Sequence, residues 1–113
     1  MRVTVDNSDP LGYGMLGHAD VLFDSSPVFR IVPDAKVKVS SVAWYAGTET
    51  LDSGWAWGQT YLDGGTAVAE TSLGAGKVFL LGPEVTFRGQ PHGTFKFLFN
   101  ALYYGSAQAA TLK

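Results

Sequence analysis

The segment TAVAETSLGAGKVFLLG, Thr66–Gly82, limits the fold more than any other part of the chain. It reads as a hairpin, with one arm from Thr66 to Leu73, a Gly-Ala-Gly turn and a second arm from Lys77 to Leu81, because turn glycines reach positive φ without steric penalty. The second arm, KVFLL, has the unbroken apolar character of a strand buried on both faces. A chain built on such a unit must supply further strands to pair with it, and Pro83 stops the pairing on its far side.

Those strands are found upstream. RVTVD alternates briefly before the turn cluster NSDP. ADVLFDSSPVFRIV carries two short apolar runs broken by Ser-Ser-Pro, which fits two strands or one interrupted edge strand. KVKVSSVAWY, Lys36–Tyr45, places Val37, Val39 and Ser41 on one face and Lys38, Ser40 and Val42 on the other, the period of a strand with one wet face. Between this strand and the hairpin lie five glycines at 47, 54, 58, 64 and 65 with Trp55, Trp57 and Tyr61 among them. That is a poor helix and a plausible ordered loop with a short strand, its aromatics covering one edge of the core.

Only the C-terminal region reads as helix. Phe95, Leu98, Phe99 and Leu102 recur at i, i+3, i+4 and i+7 as one apolar stripe, with Thr94 to cap the start and Gly105 the end. SAQAATLK has little to bury and reads as a fraying tail over 106–113. The expected fold is α+β: a strand-rich mixed or antiparallel sheet with one C-terminal helix. With 113 residues and no internal repeat or linker, residues 1–113 read as one domain.

Composition excludes several functions. The net charge of −2, with no basic run, offers no footprint for nucleic acid, whose binding rests on neutralised phosphates. No apolar stretch approaches the roughly 20 residues of a membrane span, and the N-terminus lacks an apolar signal core. The absence of cysteine removes disulfides, thiolate zinc sites and cysteine nucleophiles from this chain.

The remaining motifs mostly reduce to turns. GAGK, Gly74–Lys77, lacks the glycine of a phosphate loop at position 71 and its Ser or Thr at position 78, and it joins two strands rather than a strand and a helix. DNSDPLG, Asp6–Gly12, has Gly17 where a hand-type calcium loop needs glutamate, so it reads as an Asx turn. Neither His18 nor His92 opens an H-x-x-E or H-E-x-x-H pattern, and no serine lies in G-x-S-x-G. Arg88, Gln90 and His92 gather just before the helix, where free N–H groups and a guanidinium suit a carboxylate or phosphate; tying loops together is the commoner task of such residues. Trp55 and Trp57 would serve a sugar or peptide as a platform if exposed, although covering the core is the commoner fate.

DPLGYGM at Asp9–Met15, SGWAWGQ at Ser53–Gln59 and GKVFLLGPEVTFRGQPHGTFKFLFNALYYG at Gly76–Gly105 occur together in this order. In that arrangement the chain resembles the C-terminal end of bacterial proteins related to zinc carboxypeptidases, in which a domain similar to class I glutamine amidotransferases follows the peptidase domain. The resemblance implies the later half of an amidotransferase-like domain, with the zinc ligands and catalytic glutamate in an upstream peptidase domain. It also implies an exported parent, periplasmic or extracellular. No catalytic residue carries over: there is no cysteine for the amidotransferase triad, and His92-Gly-Thr does not match its His-x-Glu.

The leading expectation is therefore a non-catalytic accessory domain without a cofactor of its own, which stabilises, docks against or presents substrate to an upstream carboxypeptidase-like domain of the same polypeptide. A sheet deprived of half its domain is also expected to self-associate into a homo-oligomer. The alternatives are a binding module for a peptide, cell-wall fragment or anion, using Trp55 and Trp57 or the Arg88, Gln90 and His92 corner, and a small hydrolase with an unrecognised triad.

Overall fold

The Thr66–Gly82 hairpin forms and anchors one side of a five-stranded sheet. The computed structural model describes residues 1–33, 36–108 and 110–111, comprising β1 (Arg2–Val5), β2 (His18–Asp20), β3 (Val39–Trp44), β4 (Thr66–Leu73), β5 (Gly76–Leu81) and a C-terminal helix α1 (Phe95–Gly105). The strands lie in the order β2-β1-β3-β4-β5, and every neighbouring pair is antiparallel. The fold is α+β, with the strands preceding the helix as expected. Gly76 joins β5 opposite Leu73, so the loop narrows to Gly74-Ala75, with Gly74 at φ 60°.

Cross-strand register assigns the two faces. Val5, Ala43, Val68 and Leu81 lie in one row, and Glu70 and Phe79 follow on the same side. Helix α1 packs there, its Tyr104 ring 5.9 Å from that of Phe79. The opposite face carries the rows Val39–Thr71–Val78 and Ser41–Ala69–Leu80. A bulge in β3 between Ser41 and Ala43 leaves Val42 without a partner in β4. It interrupts the alternation read from the sequence, so that Val42 and Ala43 are both fully buried.

Several expectations need correction. KVFLL is not buried on both faces: β5 is an edge strand, and with no helix on the far face among the described residues Val78 and Leu80 remain partly exposed while Phe79 and Leu81 turn inward. The strand expected from Lys36 begins at Val39. Ala19–Val32 yields only the three-residue edge strand β2 and an isolated bridge between Phe29 and Thr66. The glycine-rich loop holds a 3-10 turn at Gln59–Leu62 and no strand.

The helix spans the expected residues but presents a different side to the core. Phe97 is fully buried, with Leu98 and Ala101 packed against the core, whereas Phe99 is 52% and Leu102 66% exposed. Phe97 and Phe99 project about 200° apart around the axis at 3.6 residues per turn. FKFLFNALYY is apolar nearly all round, so periodicity admits more than one stripe. Asn100 decides between them by donating to the carbonyls of Leu11 and Tyr13, both at 2.9 Å. Thr94 precedes the helix without a side-chain cap; its hydroxyl donates to the Val85 carbonyl at 2.8 Å and lies 2.9 Å from that of Pro91. Gly105 is the last helical residue and lacks the left-handed conformation of a glycine cap. Of the expected tail, residues 109, 112 and 113 lie outside the described residues; the Ala107 carbonyl accepts from Lys77 Nζ at 3.0 Å.

Candidate functional site

Two histidines far apart in sequence meet on one surface. His18 stands on the edge strand β2, and His92 sits in the short turn before α1, its ring 5.2 Å from that of Phe95. Both line a cleft of about 430 Å³ with Asp20, Lys96 and the Gly14–Leu16 loop. Asp20 is already engaged: Arg2 donates from Nε and Nη2 to its two carboxylate oxygens, each at 2.9 Å. That two-point contact holds the Asp20 carboxyl below the usual carboxylate range, with burial opposing. Among the described residues, no serine or threonine lines the cleft. Thr94, close to His92 in sequence, is buried and bonded to backbone. Among the described residues, no group of three or more histidine, aspartate or glutamate side chains is placed to hold a metal ion.

The corner read from the sequence does not assemble as a unit. Arg88 adopts φ 49° and is exposed, its guanidinium carbon 4.9 Å from the centroid of the neighbouring Phe87 ring. Gln90 is also exposed, and neither residue lines the cleft that takes His92. His92 instead shares its cleft with His18 and Lys96. No local pattern announces that grouping, because β2 and the helix start become neighbours only when β2 pairs with β1 and the helix packs on the sheet.

A second region lies around the glycine-rich loop. Trp55 and Trp57 do not cover the core; they are 83% and 90% exposed. The loop bearing them is pinned at both ends. Arg2 Nη2 contacts Asp52 Oδ1 at 2.8 Å, the Leu51 N–H donates to Gln59 Oε1 at 2.8 Å, and Gln59 Nε2 donates to Glu49 at 3.3 Å. Gly54 and Gly58, at φ 90° and 81°, turn the chain at either side of the indoles. Both indoles line a cavity of about 340 Å³ with Phe23 and Ser25, and Trp55 also borders a second of similar size floored by Phe23 and Leu51.

The Asp6–Gly12 segment is an Asx turn, as read. Asp6 Oδ1 accepts from the Ser8 N–H at 3.0 Å and from its hydroxyl at 2.6 Å, which lowers the Asp6 pKa, and Asp9 Oδ1 accepts from the Leu11 N–H at 2.8 Å. No helix among the described residues is long and apolar enough to cross a membrane. Comparison with protein-family models, curated proteins and solved structures yields no match.

Proposed function

We propose that this chain is a non-catalytic accessory domain that docks against, and stabilises, a larger zinc carboxypeptidase-like polypeptide. The sequence resemblance supplies the identity of the partner. The single structural observation in support is the outer side of α1, where Phe99, Leu102 and Tyr103 are 52%, 66% and 82% exposed while the opposite side packs on the sheet. A helix apolar on both sides is the pattern of a buried element. The reading supplies the second cover: the preceding domain of the same polypeptide, which would also hold any zinc.

The test joins the chain to its upstream coding sequence. Leu102→Asp and Phe99→Asp should leave the melting temperature of the isolated chain nearly unchanged, because neither side chain is in the core. In the longer polypeptide the same substitutions should destabilise the assembly and expose α1 to hydrogen exchange. Amides of α1 that exchange equally fast in both contexts would remove the docking role. An upstream sequence without an H-x-x-E…H domain would remove the carboxypeptidase partner.

A further inference from the structure

We propose that the groove around Trp55 and Trp57 binds a neutral glycan chain, its sugar rings stacked on the two indoles. The inference is independent of the accessory-domain reading, since it concerns a different surface. It begins with the exposure of the indoles: a tryptophan loses favourable burial when left in water, and here two do so within three residues. They are not on a slack loop, because the Arg2–Asp52 contact and the Gln59 hydrogen bonds fix the segment on both sides. Anchored flanks favour binding because less backbone freedom is lost when a ligand arrives than on an unanchored loop.

The chemistry of the groove selects the ligand. Among the described residues, no charged side chain lines either of the two adjoining cavities. Apart from the Met1 ammonium, which already donates to the Val21 carbonyl at 3.0 Å, a charged ligand finds no counter-ion in this lining, and a neutral ligand is favoured. The polar side chains supplied are Ser25 and Ser53, with Gln59 at the rim. Residues 53–57 make no backbone hydrogen bond to other described residues, leaving their N–H and C=O groups for a ligand. Flat apolar faces beside scattered neutral hydrogen-bonding groups match a pyranose ring, which is apolar across its C–H face and hydroxylated around its edge. A ribbon-like β-1,4-linked chain offers such faces in succession. Ser25, which lines the same cavity as Trp57, is a non-glycine residue at φ 52°, a conformation that L side chains rarely adopt.

The experiment is a titration of the 113-residue chain with cellohexaose and with the hexamer of N-acetylglucosamine, followed by calorimetry and tryptophan fluorescence. At least one oligomer should bind with saturation. Trp55→Ala and Trp57→Ala should each weaken binding tenfold or more, the range of an aromatic contact at the centre of a site, while melting temperatures stay at the parent value. His92→Ala should bind as the parent does. Absence of binding to both oligomers at millimolar concentration would overturn the proposal. So would binding indifferent to both tryptophan substitutions, or preferential saturation by a neutral apolar peptide competing for the same indoles.

Discussion

Replacing Tyr45 by phenylalanine should stabilise this protein. Tyr45 is fully buried immediately after β3, packed edge-on against Phe23 with ring centroids 6.1 Å apart, and its hydroxyl has no hydrogen-bond partner among the described residues. A buried hydroxyl left unpaired costs about 1–3 kcal/mol relative to its hydrated state in the unfolded chain. Phenylalanine keeps the ring contact and removes that penalty. Allowing for lost contacts of the oxygen itself, the gain should be about 1 kcal/mol, or roughly 4 °C in melting temperature for a domain of this size. Burial also pushes the Tyr45 pKa up to about 12 from an ordinary 10.0. The folded protein thus holds its proton more tightly than the unfolded chain, so stability falls as pH rises from 10 toward 12, by about 1.4 kcal/mol at pH 11. Tyr45→Phe lacks that loss, and the gap between variant and parent should widen with alkali. Urea unfolding followed by circular dichroism at pH 7, 9, 10 and 11 measures both effects. A variant less stable than the parent by 1 kcal/mol at pH 7, or a gap constant from pH 9 to 11, would refute the reasoning.

Three further outcomes are expected. Phe97→Ala should cost about 3–5 kcal/mol as a buried aromatic truncation, whereas Phe99→Ala should change stability by no more than about 0.5 kcal/mol; equal losses in denaturant titrations would contradict the helix orientation. Glu70 lies half-buried with Oε2 unpartnered among the described residues, and desolvation, aided by Asp9, raises its pKa against Lys77 and the Tyr104 hydroxyl. Its folded form retains the proton, so stability falls as pH rises above the ordinary glutamate value, and Glu70→Gln should be more stable than the parent at pH 7 but equal to it near pH 3; thermal melts at both pH values check this. The exposed side of α1 should drive self-association at high protein concentration, which Leu102→Asp should abolish in light scattering; a parent that stays monomeric at every concentration would count against it.

Local chemistry made the frame of the fold legible. The Gly74 turn, the arms of β4 and β5 and the Asx turn at Asp6 depend on backbone conformations and spacings that neighbouring residues impose, so they can be read along the chain; the extent of α1 was legible too, although neither Thr94 nor Gly105 caps it as the sequence suggested. The same local reading could not orient α1, because Phe95–Tyr104 offers several apolar stripes and only the carbonyls of Leu11 and Tyr13 select the one that packs inward. Nor could it reveal that β5 is an edge, which is a matter of strand order. The surfaces were still less legible. Trp55 and Trp57 have the same composition whether they cover a core or face water, and the pinning of their loop by Arg2, fifty residues away, leaves them exposed. His18 and His92 share a cleft because β2 pairs with β1 beside the start of α1. Spacing along the chain encodes turns and periods; which remote side chains become neighbours is set by packing, whose energy is spread over the whole core and written in no single segment.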